Sequence, residues 1–485
     1  MFEQQEILAV LQGFNPWWAG KETSVPAFRR LAFYACLRLL NDTQLKRAVL
    51  LSGPRRVGKT TILVQLAAEK LRETATAQAS VLYISLDHPL LKLLTLPKIL
   101  QLYHETIYPS GKLVTLLLDE VQYSSDWDLQ LKQLVDHHPE YRIVATGSAS
   151  AVQHRALIDS GVGRWLTVPV PTLNFFEFVQ MRGETPAAVP DGVKPSDLFN
   201  PPAEGWSTFS TRFRPLMPSF QRYQLVGGFP ETALQSDVRL SQRLLREDVV
   251  ERVLKRDMTA LFGIRKVAEL EKLFIYICLH SGDVFSAKTC ADALGSSSPV
   301  TVREHLTYLE QANLIYRLNP EGLGGKSILR ARPKVYLVDA ALGNAVLLRG
   351  EEILHDPTRM GGIVETTVLR HLYAYYYRDT PRIGYWRDAA TGREVDIIVN
   401  SPSYSIPVEV KYRHNAALER KSGLAVYCKA QSIPRAYLVT QSEEDFGVQL
   451  IPDTQTQVLK IPAHIFCYLL GQAERMLWED TPPAP

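Results

Sequence analysis

The sequence predicts an α/β protein of several domains, and three observations carry this prediction. The chain has 485 residues, more than a single hydrophobic core organises, so two or three domains are expected. Near its start, apolar segments of strand length alternate with helical segments, as in a parallel sheet covered on both faces. Near its end, a hairpin with alternating polar and apolar residues precedes another helix and strand, which indicates a second α/β domain.

Composition and charge are those of an ordinary globular protein. Hydrophobic residues make up 46% and charged residues 22%, and 54 Lys and Arg nearly balance 51 Asp and Glu. The formal net charge of +3 gives no overall attraction to nucleic acid or to an acidic membrane, so any such binding must come from local patches.

Cysteine usage and the first residues predict a cytoplasmic protein with no membrane partner. Five scattered cysteines without a C-x-x-C pair argue against a disulfide framework and against a zinc site. The first residues, MFEQQEILAV, lack the basic and apolar segments of a secretory signal. No apolar run reaches the roughly 18 residues that a spanning helix needs.

A glycine-rich loop follows the first predicted strand. In AVLLSGPRRVGKTT, residues 48–61, the strand leads into G-x-x-x-x-G-K-T, and a helix begins near Lys59. Successive backbone N–H groups in such a loop surround a phosphate at a helix N-terminus, which predicts a site for ATP. Lys59 is expected to reach the β- and γ-phosphates, and the Thr60 hydroxyl to take one position on Mg²⁺. The predicted nucleotide-binding residues are Gly53, Pro54, Arg55, Arg56, Val57, Gly58, Lys59, Thr60 and Thr61.

An acidic pair ends a second buried strand. The stretch KLVTLLLDEVQ is apolar until Asp119 and Glu120, as expected for a parallel strand covered on both faces. Asp119 is placed to hold Mg²⁺ through water, and Glu120 to orient or deprotonate the attacking water. The alternative is a chance glycine turn beside a buried acidic pair, and the ordered set of motifs favours ATP hydrolysis.

Two more strands complete the predicted sheet of this domain. RIVATGS, residues 142–148, ends in Thr146 and Ser148, polar groups able to sense the γ-phosphate or position the water. VLYISLD, residues 81–87, supplies another strand. Repeated strand and helix alternation predicts three layers, with the ligand at the carboxyl ends of the strands.

These motifs stand in the order of a known family. The chain resembles prokaryotic AAA-type ATPases marked by N-P-W-W, G-x-R-R-x-G-K-[ST], D-E-[IV]-Q and T-G-S motifs. The matching residues are 15–18, 53–60, 119–122 and 146–148. A following G-R and an L-x-F-x-E-F box match Gly163, Arg164 and residues 173–178. The resemblance implies a P-loop AAA-type ATPase domain that uses ATP and Mg²⁺.

Arg164 and the tryptophan pair each have two interpretations. Arg164 is a candidate arginine finger that completes the ATP site of a neighbouring subunit in a homo-oligomer, because guanidinium stabilises charge on a transferred phosphoryl group. Its alternative is a structural salt bridge. Trp17 and Trp18 either close over adenine or pack against the domain, and packing is favoured.

Residues 181–220 interrupt the regular pattern of the first predicted domain, residues 1–235. They are rich in Pro, Ser and Gly and show neither helical nor strand periodicity. We predict a mobile insertion or lid.

A helix-turn-helix pattern lies in the second predicted domain, a helical and winged-helix domain over residues 236–335. From about 267 to 320 the pattern is helix, helix, SSSP turn and helix. The predicted wing spans 322–334, where no acid separates the basic residues, which favours contacts with the DNA backbone. These residues are Lys326, Arg330, Arg332 and Lys334. A winged helix that serves only as a rigid spacer is the alternative.

Glu365 lies on the apolar stripe of the first helix in the third predicted domain, residues 336–485. Apolar side chains follow it at helical spacing, at Val368, Leu369, Leu372 and Tyr376. A lone ionised carboxylate on such a stripe is costly, so Glu365 requires a compensating partner.

Three more charged residues lie on two predicted strands of the same domain. Asp396 alternates with apolar residues, and in SIPVEVKYR the period of two puts Glu409 and Lys411 on one face. If the strands are neighbours, the carboxylates of Asp396, Glu409 and Glu365 converge. Lys411 lies beside them, and the set suits a hard divalent cation.

A helical Glu, then Asp, then E-x-K is the order found in restriction-endonuclease-like PD-(D/E)xK nucleases, which the tail resembles. The resemblance implies that Asp396 and Glu409 bind Mg²⁺ and that Lys411 activates water or steadies the pentacovalent phosphate. Glu365 would tune the metal from the helix. A structural salt bridge between strands is the alternative, and an intact quartet does not establish cleavage.

Two functions are compatible with these features. The first is an ATP-regulated DNA nuclease, in which ATP binding or assembly between subunits controls the winged helix and the metal site. The second is a nucleotide-dependent switch that binds DNA or a protein partner, with a catalytically silent tail. A toxin-antitoxin or transposition regulator is not separable from the second function in this sequence.

Overall fold

The computed structural model describes residues 4–73, 77–148, 163–186, 188–259, 263–264, 266–295, 298–322, 331–377 and 382–479. The chain divides into two units, one formed by Met1–Pro171 with Trp478–Pro485, and the other by Thr172–Leu477. The division into three domains stays a prediction.

Five parallel strands form the sheet of the first unit, in the order β2-β3-β4-β1-β5. Strands β1, β2 and β3 are buried along their whole length, which is why their sequences are continuously apolar. The strands are Ala48–Gly53 (β1), Val81–Ser85 (β2), Val114–Asp119 (β3), Tyr141–Ser148 (β4) and Trp165–Pro169 (β5). The α-helices are Gln4–Phe14, Leu31–Asn41, Lys59–Arg72, Leu96–Thr106 and Trp127–His137. The predicted parallel α/β domain is confirmed.

The N-P-W-W segment packs against β2. Asn15 accepts a hydrogen bond from the Tyr83 N–H at 2.7 Å and donates one to the Tyr83 carbonyl at 2.8 Å. The indole N–H groups of Trp17 and Trp18 both donate to the Val81 carbonyl, at 2.9 and 3.0 Å. The packing interpretation of the tryptophans is therefore confirmed.

Eight strands form the sheet of the second unit, in the order β12-β13-β11-β10-β9-β8-β6-β7. Neighbours are parallel at β6–β8, β10–β11 and β11–β13, and antiparallel elsewhere. The strands are Ile315–Pro320 (β6), Lys334–Leu337 (β7), Arg382–Arg387 (β8), Glu394–Ser401 (β9), Tyr404–Lys411 (β10), Arg435–Thr440 (β11), Gly447–Leu450 (β12) and Gln457–Pro462 (β13). The hairpin β6–β7 thus continues the sheet that carries Asp396 and Glu409.

Helices surround this sheet, and Pro357–Tyr376, which carries Glu365, packs against β9 and β10. The remaining α-helices are Phe175–Met181, Gly205–Thr211, Met217–Val226, Pro230–Leu234, Val238–Leu244, Val267–Leu279, Ala287–Leu294, Pro299–Gln311, Ala340–Val346, Gly423–Gln431 and Ala463–Glu479. Wider π-helical turns occupy Leu245–Glu251 and Val253–Asp257. No helix in the described ranges has an apolar stretch long enough to cross a bilayer.

Residues 181–220 are not irregular as their composition predicts, whereas the mobility of this insertion stays a prediction. Its described residues contain short helical pieces, and its phenylalanine side chains are buried within the second unit. Phe199 packs edge-on against Tyr437 of β11, with ring centres 5.2 Å apart, and Phe209 packs against Phe446 at 6.2 Å. These contacts join residues that are far apart in sequence, so local periodicity does not reveal them.

The helix-turn-helix segment contains the three predicted helices, Val267–Leu279, Ala287–Leu294 and Pro299–Gln311. Ser298 caps the third helix by accepting a hydrogen bond from the Thr301 N–H at 3.1 Å. Lys326 and Arg330 of the predicted wing lie outside the described residues. The winged-helix assignment stays a prediction.

Candidate nucleotide-binding site and carboxylate cluster

The glycine-rich loop joins β1 to the helix Lys59–Arg72, and glycine is required at both of its ends. A Cβ atom on Gly53 would lie 2.1 Å from the Val170 carbonyl oxygen, so a side chain would collide with fixed backbone. Gly58 has a φ of 93°, in the left-handed region that other residues rarely adopt. The loop backbone is therefore set by its glycines.

Lys59 is buried inside the loop. Its ammonium donates hydrogen bonds to the carbonyls of Gly53 at 2.9 Å and Pro54 at 2.7 Å, and only 6% of the residue is exposed. Arg55 reaches outward, and its guanidinium donates to the Tyr123 hydroxyl at 3.1 Å. A buried ammonium beside the curled loop backbone is what phosphate binding requires.

Asp119 joins three neighbouring elements. Its carboxylate accepts hydrogen bonds from the Thr60 hydroxyl at 2.8 Å, from the Tyr83 hydroxyl at 2.9 Å and from Thr146 Oγ1. Burial and the Asp119 charge raise the pKa of the Tyr83 hydroxyl, which therefore stays a donor at neutral pH. The sheet order explains the meeting, since β4 lies between β1 and β3.

Glu120 follows directly in a left-handed conformation, with a φ of 55°. Its N–H donates to Thr146 Oγ1 at 2.9 Å, and its carboxylate accepts a hydrogen bond from the Gln122 amide. Non-glycine residues in this conformation carry backbone strain and concentrate at functional sites. The structure thus places the predicted general base next to Asp119 and Thr146.

The structure gives less support to the predicted roles of Ser148 and Arg164. The Ser148 side chain lies outside the described residues, although β4 ends at this position. The Arg164 guanidinium lies against Asp136, with Nε 3.2 Å from Oδ1. This contact supports the salt-bridge alternative within one chain, and a role of Arg164 toward a neighbouring subunit stays a prediction.

Arg30 supports the loop from behind and was not singled out by the sequence. It is 6% exposed, and its Nη1 donates to the carbonyls of Val57 and Pro171, both at 2.8 Å. No local motif reveals such a residue, because its partners lie 27 and 141 positions away.

Replacing Arg30 by alanine is expected to weaken ATP binding about tenfold, since each buried carbonyl left unsatisfied costs about 1–3 kcal/mol and the loop loosens. Lysine at position 30 should restore little, because it lacks the planar fork that bridges both carbonyls. Titration with a fluorescent ATP analogue measures the effect. Arg47→Ala, an exposed residue of the same unit, is the control. Equal affinities for Arg30→Ala and Arg47→Ala would contradict the prediction.

The residues at the loop fit a Mg²⁺–nucleotide pair. The Thr60 hydroxyl and the Asp119 carboxylate are hard oxygen donors 2.8 Å apart, the ligand chemistry that Mg²⁺ prefers. Lys59 supplies a buried positive charge for phosphate. The contact between Thr60 and Asp119 joins the predicted loop, Gly53 to Thr61, to the acidic strand, and nucleotide binding by these residues stays a prediction.

The second unit brings together the carboxylates predicted for the tail. Strands β9 and β10 are antiparallel neighbours with Ile397 opposite Val408, which confirms the expected pairing. Asp396 accepts a hydrogen bond from the Val410 N–H at 2.8 Å. The buried Oε2 atom of Glu409 has no hydrogen-bond partner among the described residues.

Lys334, predicted to contact DNA from a wing, is instead buried in this cluster. It is 2% exposed, and its ammonium lies 2.5 Å from Glu394, 3.4 Å from Glu365 and 3.5 Å from Asp396. The prediction for Lys334 is wrong because β7 pairs with β6 and directs this side chain into the unit. We call Lys334, Glu365, Glu394 and Asp396 the carboxylate cluster.

Burial and the repulsion between neighbouring carboxylates shift the pKa values of the charged side chains in and beside the cluster. Burial alone lowers the pKa of Lys334, but the charges of Glu365, Asp396 and Glu394 outweigh burial and raise it. Burial and the Asp396 charge raise the pKa of Glu365 to about 7, although Lys334 and the Tyr336 hydroxyl oppose the shift. The same two causes raise the pKa of Glu409 well above its ordinary value. Three carboxylates of the cluster share one ammonium, so repulsion from Asp396 favours the protonated form of Glu365.

The carboxylate cluster does not fit the divalent cation that the nuclease resemblance implies. An ammonium already lies among the carboxylates. In the part of the chain that the structure describes, no group of three or more His, Cys, Asp or Glu side chains is arranged to hold a metal ion.

Comparison with known proteins defines the class of the first unit. Residues 45–179 match the family described as an AAA domain. With the parallel sheet and the loop contacts, this match supports a P-loop AAA-type ATPase in this part of the chain. Residues 217–352 and 360–463 match two families described as domains of unknown function, DUF8612 and DUF4143.

Similar chains occur in bacteria and archaea. An uncharacterized protein of Haemophilus influenzae is 22% identical over 332 residues, which cover 67% of this chain and 74% of that protein. An uncharacterized protein of Methanocaldococcus jannaschii is 25% identical over 344 residues, 68% of each chain. A Walker-type ATPase of Pyrococcus abyssi matches with 15% identity and a TM-score of 0.37, over 68% of this chain and 99% of that chain. The class assignment rests on the AAA domain match and the site geometry.

Proposed function

We propose that this protein is a nucleotide-dependent switch that hydrolyses ATP and acts on DNA. The observation that carries the proposal is the contact between the loop and the acidic strand, where the Thr60 hydroxyl lies 2.8 Å from Asp119. Glu120 follows directly and is held by Thr146. The residues proposed to bind the nucleotide and to act as general base thus lie near the carboxyl ends of β1, β3 and β4.

Each of these residues has a separate role in the proposal. The loop N–H groups and Lys59 bind the phosphates, and Lys59 exchanges its two carbonyl acceptors for phosphate oxygens. Thr60 and Asp119 hold Mg²⁺, which neutralises phosphate charge when bound. Glu120 orients the attacking water and accepts its proton.

A basic groove in the second unit supports the action on DNA. A cleft of about 850 Å³ lies between the last two helices of the helix-turn-helix segment and the hairpin β6–β7. Lys288, Arg303 and Arg332 line it and are exposed, while Arg317 is paired with Glu310. Exposed cations around a groove suit contacts with the phosphate backbone.

Replacing Lys59 by alanine tests the proposed function. Loss of a charge-assisted contact costs about 1.5–3 kcal/mol, so ATP affinity should fall about 10–100-fold and turnover should disappear. Lys98→Ala, at an exposed position of the same unit, should behave as the parent chain. ATP affinity is read from a fluorescent analogue, and binding of plasmid DNA is compared with and without ATP. Unchanged ATP affinity in Lys59→Ala would overturn the proposal.

A metal-dependent DNA nuclease is the second candidate function. It is favoured by Asp396 and Glu409, which lie on the neighbouring strands β9 and β10, and by Lys411, which follows Glu409 by two residues on β10. The ammonium of Lys334 among the carboxylates argues for the silent tail instead.

Plasmid nicking separates the two candidates. We expect the parent chain, with Mg²⁺ or Mn²⁺ and with or without ATP, to nick supercoiled plasmid no faster than Asp396→Ala and Lys411→Ala. Gel electrophoresis of the plasmid measures the rate. Nicking by the parent that both substitutions abolish would establish the nuclease and remove the silent-tail alternative.

A further inference from the structure

The positive charge in the carboxylate cluster comes from the chain itself. The Lys334 ammonium lies within 3.5 Å of oxygens of Glu365, Glu394 and Asp396. We propose that Lys334 is the resident cation of this cluster and excludes divalent metal ions, so that the three carboxylates form a metal site only when its charge is removed. This inference deepens the silent-tail function and does not depend on ATP hydrolysis.

The backbone holds Lys334 firmly in this place. It is the first residue of β7, pairs with Leu318 of β6 and makes an antiparallel bridge with Val284. The ammonium lies 5.6 Å from the centre of the Tyr385 ring and 5.9 Å from that of Tyr336. The side chain is 2% exposed, and both rings lie within reach of a cation–π contact with its ammonium.

The carboxylate oxygens are also committed to other donors. The Tyr336 hydroxyl donates to Glu365 Oε1 at 2.5 Å, the same oxygen that faces Lys334. The second oxygen of Asp396 accepts from the Val410 N–H. A divalent ion needs about six oxygen ligands and would lie beside an ammonium in a region of low dielectric. Lys334 and the metal therefore compete for one position.

The cluster nevertheless has the negative charge that a metal site requires. Three carboxylates surround one ammonium, and Glu409, on the strand next to Asp396, has a buried oxygen without a hydrogen-bond partner in the described part of the chain. A cleft of about 480 Å³, lined by Lys334, Glu365 and Glu394, reaches the cluster from one side. The carboxylates of the described chain are not arranged to hold a metal ion while the ammonium lies among them. Once it is removed, they can draw together on an ion that enters through this cleft.

Binding of Mn²⁺ to the nucleotide-free full chain tests the inference. Free Mn²⁺ is followed by electron paramagnetic resonance for the parent, Lys334→Met, Lys334→Gln and Lys334→Arg, each also combined with Asp396→Asn. We expect Lys334→Met and Lys334→Gln to gain one equivalent of bound Mn²⁺ that Asp396→Asn removes. The parent and Lys334→Arg should bind at least tenfold more weakly at this position. Circular dichroism shows which variants are folded.

Mn²⁺ binding to the parent chain tests the proposal even if the uncharged variants do not fold. Tight binding of Mn²⁺ to the parent that Asp396→Asn abolishes would overturn the proposal, because the metal would then displace or tolerate Lys334. Folded Lys334→Met and Lys334→Gln that gain no Mn²⁺ would also overturn it. Absence of Asp396-dependent binding in the parent supports it. Because no nucleotide is present, failure of the ATPase proposal would leave these results unchanged.

Discussion

Glu120→Gln is expected to bind ATP as tightly as the parent chain and to hydrolyse it roughly 10²–10⁴-fold more slowly, the usual contribution of a general base. An amide has nearly the shape of a carboxylate but does not accept a proton from water. The N–H of residue 120 should still donate to Thr146, so the left-handed backbone persists. Phosphate release measures turnover, and a fluorescent analogue measures affinity.

Glu105→Gln is the matched control for this experiment. Glu105 is an exposed carboxylate on the helix Leu96–Thr106 of the same unit, away from the loop. It should leave both turnover and affinity as in the parent. Turnover of Glu120→Gln within threefold of the control would show that another group takes the proton.

Lys334→Met is expected to lower the free energy of unfolding of the second unit by about 3–5 kcal/mol, the usual cost of breaking a buried ion pair on one side. Methionine fills similar volume, so the loss would come from charge and not from a cavity. The carboxylates of Glu365, Glu394 and Asp396 would then face one another without compensation. Urea denaturation without divalent ions measures the loss.

Lys266→Met gives the comparison with an exposed pair. Lys266 lies 3.0 Å from Glu269, but 74% of its side chain is exposed. Such pairs contribute about 0–1 kcal/mol, so this variant should unfold close to the parent. Equal denaturation midpoints for Lys334→Met and Lys266→Met would show that the buried ammonium stabilises no more than a surface one.

The nucleotide site could be predicted from sequence because its parts are local. The loop is a contiguous motif, Asp119 ends an apolar strand with Glu120 directly after it, and Thr146 lies near the end of another. Parallel strands bring their carboxyl ends to one edge of the sheet, so the residues at these ends can be assigned to the site from the sequence. Arg30 could not be predicted from the sequence, because its hydrogen bonds connect positions that only the folded chain brings together.

The second unit was harder to predict because pairing between distant strands decides its chemistry. Alternation on β9 and β10 revealed Asp396 and Glu409, whose strands adjoin in sequence. Lys334 lies 62 positions before Asp396 in the sequence. The two side chains meet only because the hairpin β6–β7 joins the sheet at β8. The basic residues at 326–334 were interpreted as an exposed wing, although one of them, Lys334, is buried. The packing of Phe199 and Phe209 was missed for the same reason.

Continuation of the sheet into β7 matters for anyone who divides this chain into fragments. A cut at the predicted boundary between residues 335 and 336 would separate Lys334 from Glu365, Glu394 and Asp396 and would split β7. The resulting C-terminal fragment would carry the acids without their lysine. Any affinity for metal ions measured on that fragment would be a product of the cut, whereas a fragment that starts before β6 keeps the native charge balance.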